Sequence, residues 1–299
     1  MISERGKALK PSPTMAMANR ARELQQKGVE VISLTIGEPD WGTYPAIQEA
    51  GINAIKQGKT KYTPAHGIPE LRQALLAQMN QQLKSNYELP EIVVGNGAKF
   101  VIYSALQMLV NPGEEVLIPS PYWVSYPTMV ELASGVPKII ECTEKTNFKL
   151  TSEQLEKAIT PKTKLLILCS PSNPTGIQYS KEELAALAKV IEQKKLFVIS
   201  DDIYNRLVFD GSEISPHLLH VAPQLRDQIL SVNGASKTYS MTGWRVGWAV
   251  GPKKLMTLMA DFFSQTTSNL STISQWATIE GIKSCDKDVV NAQPSSFPF

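Results

Sequence analysis

Lys237 sits in the stretch Ser231-Val-Asn-Gly-Ala-Ser-Lys-Thr-Tyr-Ser-Met-Thr-Gly-Trp-Arg-Val-Gly-Trp248, where a turn of small residues follows an apolar run and Arg245 comes eight positions later. A lysine that serves as a covalent amine needs a tight, open turn at a strand end. A guanidinium at this offset can neutralise a phosphate on whatever the amine holds. Together the two residues predict a phosphate-bearing aldehyde bound as a Schiff base, which is pyridoxal 5′-phosphate.

Two further polar clusters follow apolar runs in the same way. Ser170-Pro-Ser-Asn-Pro-Thr-Gly176 comes after Lys164–Cys169, and Asp201-Asp-Ile-Tyr204 comes after Leu196–Ser200. Ligands of open parallel sheets sit beyond the carboxyl ends of the strands, so these clusters and the lysine turn predict one shared site. Asp201 suits the pyridine nitrogen, which it would keep protonated so that the ring accepts electrons from a substrate carbanion. Tyr204 and Asn173 suit the phenolic oxygen. Arg245, assisted by Ser236, suits the phosphate. Gly97-Ala98-Lys99 opens a predicted helix running to about Val110, whose free N–H groups form a phosphate cup. Trp123, in Pro121-Tyr-Trp-Val-Ser-Tyr-Pro127, is placed to stack on the ring.

Several of these residues have a structural alternative. Trp123 could pack in the core with Tyr122 and Tyr126, and Asn173 could start the turn that Pro174 enforces. Asp201 could cap the following helix, and Lys99 could be a solvated helix-start residue. His217 and His220 are spaced i, i+3 but have no third ligand nearby, so a structural role is expected and no metal.

The elements that must position these groups alternate along the chain. Apolar runs at Ile92–Val94, Val116–Ile118, Lys164–Cys169, Leu196–Ser200, Ile229–Val232 and Val246–Val250 predict buried strands. Helices are predicted near Ala16–Lys27, over Ile68–Lys84 with Leu71, Leu75, Met79 and Leu83 at helical spacing, and after the Ser180-Lys-Glu-Glu183 capping box to about Lys194. Helical character from Pro252 to about Lys283 gives way to a tail, Asp286 to Phe299, with neither period nor cap. The alternation predicts an α/β fold, a three-layer sandwich with a mostly parallel central sheet.

Bulk properties exclude several classes. At 299 residues, with 42% hydrophobic and 19% charged residues, the chain reads as an ordinary soluble protein. A net charge of +2 without a basic run gives no case for nucleic acid, and no apolar run is long enough to cross a membrane. Cys142, Cys169 and Cys285 are an odd count without metal-like spacing and read as reduced thiols. The N-terminus lacks the apolar core of a signal peptide, so the cytoplasm is expected.

These residues carry a resemblance that spans about Lys10 to Gly281. Ser-Lys-Thr-Tyr-Ser-Met-Thr-Gly-Trp-Arg, Asn-Pro-Thr-Gly and Ser-Asp-Asp-Ile-Tyr are similar to the signatures of class I aminotransferases of the pyridoxal-phosphate fold type I superfamily, above all the bacterial-type aspartate aminotransferases. The glutamate usual after the aspartate is Asp202 here. The resemblance implies transamination between an amino acid, aspartate or glutamate favoured, and a 2-oxo acid, through a Lys237 aldimine and a pyridoxamine form. It implies that the Gly37 backbone, Trp123 and Asn173 line the substrate, and that Tyr62, in Gly58-Lys-Thr-Lys-Tyr-Thr-Pro64, reaches the phosphate of a neighbouring subunit in a homodimer. It also implies that Lys99 and hydroxyls near Ser12 and Thr14 meet a distal carboxylate.

The resemblance further divides the chain into an arm with part of a small domain (1–44), a large cofactor-binding domain (45–283) and an irregular tail (284–299). Class I aminotransferases continue further, into a small domain carrying the arginine that clamps the α-carboxylate. No residue here matches that arginine, so a shortened or altered ending and weakened turnover are expected. Two other functions stay open: an aromatic or prephenate-type aminotransferase or carbon–sulfur lyase, and an inactive relative that only binds cofactor.

Overall fold

Alternation of apolar side chains at period two builds a sheet buried on both faces. The computed structural model describes residues 1–3, 6, 7, 9, 11, 13–34 and 37–292. Its strands are β1 (Ile92–Gly95), β2 (Glu115–Ser120), β3 (Val136–Glu141), β4 (Thr163–Cys169), β5 (Phe197–Asp201), β6 (Ile229–Gly234) and β7 (Gly247–Val250), ordered β1-β7-β6-β5-β4-β2-β3. Strands β3, β2, β4, β5 and β6 run parallel, while β7 is antiparallel to both β6 and β1, so β7 alone is reversed. The expected mostly parallel sandwich is therefore observed.

Ile92, Val94, Leu117, Leu166, Leu168, Val198, Trp248 and Val250 enter the core on one face of the sheet. Their neighbours Val93, Val116, Ile118, Leu165, Ile167, Ile199 and Ala249 enter the core on the other. Each fully buried aliphatic side chain contributes about 1.5–3 kcal/mol relative to exposure, so a one-residue register slip would exchange two complete cores.

Helices cover both faces. The described helices are α1 (Pro13–Gln26), α2 (Pro45–Lys56), α3 (Pro69–Leu83), α4 (Ala98–Leu109), α5 (Ser125–Leu132), α6 (Ser152–Ala158), α7 (Lys181–Lys194), α8 (Leu218–Val221), α9 (Ala235–Thr238), α10 (Lys253–Thr266), α11 (Thr272–Ser284) and α12 (Asp286–Ala292). Leu71, Leu75, Met79 and Leu83 of α3 and Leu184, Leu187 and Ile191 of α7 pack on the first face. Val101, Ile102 and Leu106 of α4, Met129 and Val130 of α5, and Met259 and Phe263 of α10 pack on the second. The Ser180 cap forms as expected: its hydroxyl accepts from the Glu183 N–H while the Glu183 carboxylate accepts from the Ser180 N–H.

The structure differs from the sequence reading at three places. β3 was not expected, because its apolar residues flank Pro137 and its side chains are largely exposed; an edge strand tolerates both. The helical stretch from Pro252 is two helices, broken between Thr266 and Thr272, where Ser268 adopts a positive φ of 57°. The first part of the expected irregular tail is helical: α12 follows α11 directly, has acidic residues in its first turn and buries Val289. Ile36, Lys10 and the tail from 293 lie outside the described residues.

Candidate active site

The carboxyl ends of β4, β5 and β6 finish level with one another. Cys169 pairs with Asp201 and Asp201 with Val232, so the segments carrying Asn173, Asp201–Tyr204 and Lys237 leave the sheet at one edge. The chain then turns through α9 and returns along β7, with Gly234 opposite Gly247. Lys237 and Arg245 therefore lie on one excursion between two paired strands.

Asp201 is the buried acid of the site, 3% exposed. One carboxylate oxygen accepts from the Tyr126 hydroxyl at 2.6 Å and the other from the Ile203 N–H at 3.3 Å. Burial pushes its pKa up to about 6; the Tyr126 hydrogen bond opposes this and the neighbouring Asp202 adds to it. Asp202 is itself buried and accepts from the Ser200 hydroxyl at 2.7 Å and from the Ser231 hydroxyl, with His217 Nε2 3.3 Å away.

Lys237 projects from α9, and its ammonium donates to the Gly37 carbonyl oxygen. Its Nζ lies 5.8 Å from the centre of the Tyr204 ring, and the Tyr204 hydroxyl accepts from the Asn173 amide at 3.3 Å. Burial lowers the Lys237 pKa, Glu38 counteracts this and Arg245 reinforces it. Burial raises the Tyr204 pKa to about 12, with the Asp201 charge adding to the effect. Glu38 is held by the Thr242 hydroxyl at 2.6 Å. Ser236, beside Lys237, is buried.

An anion cradle borders these groups. Gly97 precedes α4 with a φ of 85°, and a Cβ there would stand 2.5 Å from Arg245 Nη2. Only glycine combines that backbone angle with that clearance. Gly247 is required for a different reason: a Cβ on it would meet the Ala98 nitrogen at 2.2 Å and the Gly97 carbonyl carbon at 2.3 Å. The amides of Ala98 and Lys99 lie in the first helical turn, where the backbone has no intrahelical acceptor. Arg245 Nη1 donates to the Thr242 carbonyl at 2.8 Å, which fixes the guanidinium beside the helix start. Lys99 Nζ lies 4.7 Å from the centre of the Trp123 ring, and burial, then the Arg245 charge, lowers its pKa. Trp123 meets Tyr126 edge to face at 5.4 Å.

The structure thus brings together Gly37, Gly97, Ala98, Lys99, Trp123, Asn173, Asp201, Tyr204, Ser236, Lys237 and Arg245. It does not bring Tyr62 to them. Tyr62 is 90% exposed on a segment pinned from below, where Thr272 donates to the Lys61 carbonyl at 2.8 Å and Gln275 to the Thr63 hydroxyl at 3.0 Å. Thr14 lies in the first turn of α1, and Ser12 lies outside the described residues. His217 and His220 cap α8 reciprocally: the Leu219 N–H donates to His217 Nδ1 and the His217 N–H to His220 Nδ1.

Sequence reasoning missed Tyr126 and Glu38. Beside Trp123 in the sequence, Tyr126 reads only as a packing aromatic. The available signal was its hydroxyl, which a buried tyrosine must satisfy. Glu38 gave no signal, because its proximity to Lys237 depends on a contact 199 residues away in sequence.

The model of the family described as aminotransferase class I and II matches residues 29–291. An aspartate aminotransferase from Bacillus sp. is 45% identical over 280 residues, covering 94% of this chain and 71% of that protein. A probable aspartate/prephenate aminotransferase from Rickettsia bellii is 48% identical over 283 residues, with the same two coverages, 94% and 71%. The solved aspartate aminotransferase from Thermus thermophilus with maleate superposes with a TM-score of 0.92 at 42% identity, covering 98% of this chain and 76% of that one.

Proposed function

The chain belongs to the class I and II aminotransferases, enzymes dependent on pyridoxal 5′-phosphate, and on that premise we propose that it transfers the amino group of aspartate or glutamate to a 2-oxo acid. The observation that carries the reading is the joint placement of Lys237, Asp201 and the Gly97–Arg245 cradle at one sheet edge. The residues fit the cofactor. A cradle that a single Cβ would fill, at a helix start and beside a guanidinium, suits a phosphate, and a buried acid suits a ring nitrogen.

In this reading Arg245, Ser236 and the amides of Ala98 and Lys99 hold the phosphate. Asp201 meets the pyridine nitrogen, Tyr204 and Asn173 the phenolic oxygen, and Trp123 the ring face. Pyridoxal 5′-phosphate supplies an electrophilic aldehyde and a ring that takes up the electrons released at the substrate Cα. Lys237 supplies the amine. Desolvation of that amine raises its neutral fraction, so it can act as a nucleophile and then carry a proton to and from the substrate Cα. Asp201 keeps a negative charge behind the site, and the Tyr204 and Asn173 donors balance charge at the opposite edge.

The cation of Lys99 beside Trp123 supports an acidic substrate, as does the maleate with which the Thermus thermophilus relative was solved. A prephenate-type acceptor is the second reading, supported by the name of the Rickettsia relative. The exposed, pinned Tyr62 supports a homodimer in which that ring serves the partner's phosphate site. Three free thiols suit the cytoplasm as its compartment.

Borohydride reduction followed by peptide mass mapping tests the centre of this reading. The cofactor mass is expected on the peptide containing Lys237 and on none in Lys237→Ala. Irreversible attachment in the variant would show that another residue holds the cofactor. A panel of oxo acids with aspartate as donor separates the two substrate readings.

A further inference from the structure

We propose that Tyr126 is a positioning residue for this reaction, acting through Asp201: its hydroxyl orients the carboxylate that faces the ring nitrogen and holds it in the charged form. The inference rests on the reading that Asp201 meets that nitrogen. Tyr126 and Asp201 are 2% and 3% exposed, and the 2.6 Å between them is the short distance of a charge-assisted O–H···O bond. A carboxylate offers about four acceptor positions. Tyr126 on one oxygen and the Ile203 N–H on the other fix the plane of the group and occupy only two of those positions.

The surroundings explain why such a donor is needed. Asp202 follows Asp201 directly and is fixed by the Ser200 and Ser231 hydroxyls, so a second acid stands beside the first. Cys169 ends the neighbouring strand and Tyr204 follows in the same turn; both feel the Asp201 charge. Among the described residues, no other side chain donates a hydrogen bond to Asp201. Burial and Asp202 both favour protonation there, and Tyr126 opposes them. The phenol reaches the acid from α5, whose preceding segment carries Trp123, so one helix start sets both the ring platform and the acid behind it.

The test titrates pyridoxal 5′-phosphate into the full chain between pH 5 and 9 and compares the parent with Tyr126→Phe and Asp201→Asn. The parent should lose affinity on acidification as Asp201 takes up a proton. Tyr126→Phe, which removes one oxygen and keeps the ring, should bind the cofactor about tenfold more weakly near neutrality. It should also move the acid limb up by about one pH unit, because the lost donor favoured the carboxylate. Site-specific 3-fluorotyrosine at position 126, a stronger donor of the same shape, should move that limb down, and it serves if the phenylalanine variant does not fold.

A folded Tyr126→Phe chain with an unmoved acid limb overturns the proposal, as does an unmoved limb in the fluorinated chain. If Asp201→Asn weakens binding while both changes at position 126 leave it untouched, only this inference fails. If Asp201→Asn leaves binding unchanged, the assignment of Asp201 itself fails.

Discussion

Gly247→Ala is expected to destroy the anion cradle while sparing the amine. The new Cβ would begin 2.2 Å from the Ala98 nitrogen and 2.3 Å from the Gly97 carbonyl carbon, whereas ordinary van der Waals contact begins at 3.4 Å. Both obstructing atoms are backbone, so no rotamer change relieves the clash, and the start of α4 must retreat by about 1.2 Å, the difference between 3.4 and 2.2 Å. Overpacking of this kind costs about 1–3 kcal/mol of stability. Hydrogen bonds to a charged group are worth about 1.5–3 kcal/mol each, so withdrawing the Ala98 and Lys99 amides from a phosphate removes at least about 3 kcal/mol, or roughly 100-fold in affinity. The assay compares pyridoxal 5′-phosphate with pyridoxal, its phosphate-free form, by fluorescence titration. The parent should prefer the phosphorylated aldehyde strongly and the variant should lose most of that preference, while borohydride still traps pyridoxal on Lys237. Gly42→Ala is the control: like Gly247 it has no positive φ, but nothing lies within 4 Å of the added Cβ. Undiminished preference for the phosphorylated aldehyde in folded Gly247→Ala would refute the placement of phosphate at the α4 start.

Asp201→Asn should stabilise the cofactor-free chain at pH 8 by up to about 3 kcal/mol, since the folded chain holds the Asp201 proton up to about 6 against an ordinary 3.8. The sign follows from linkage: the acid's contribution to stability is complete below pH 3.8 and lost as pH rises through about 6, so guanidinium unfolding should show the gain at pH 8 and little of it at pH 4. In the cofactor-free chain, Arg245→Gln should raise the Lys237 pKa and Glu38→Gln should lower it, as read from the pH dependence of reductive methylation at Lys237 by mass spectrometry. Shifts in the reverse directions would contradict the charge arrangement around the amine. His217→Ala should cost about 1 kcal/mol in chemical denaturation, because it removes the ring nitrogen that accepts the Leu219 N–H at the α8 cap.

The strands on either side of the site were legible because each is a short apolar run with a turn signal at its carboxyl end, and all six expected runs lie in the sheet. Strand ends in a parallel sheet collect on one side, so Asn173, Asp201 and Lys237 could be grouped without knowing the strand order. The reversal of β7 was not legible: Val246–Val250 reads the same in either direction, and only its pairing with Gly234 and Ile92 orients it. β3 was hidden by Pro137 and by the polar faces of an edge strand. The α12 helix was hidden because its seven residues offer one apolar anchor, Val289. Tyr126 was visible as an aromatic but not as a donor, since its acceptor lies 75 residues further along the chain.

Because Gly234 is laddered to Gly247, the loop bearing Lys237 and Arg245 is clamped at its neck like a handle on a lid. The span from amine to cation is thereby set by fewer than a dozen residues of one excursion and is insulated from sliding among the outer helices. Drift in the surrounding layers would tilt the whole handle and leave its internal spacing intact. Insertions between 234 and 247 should therefore be far more damaging than insertions of equal length elsewhere on the same edge.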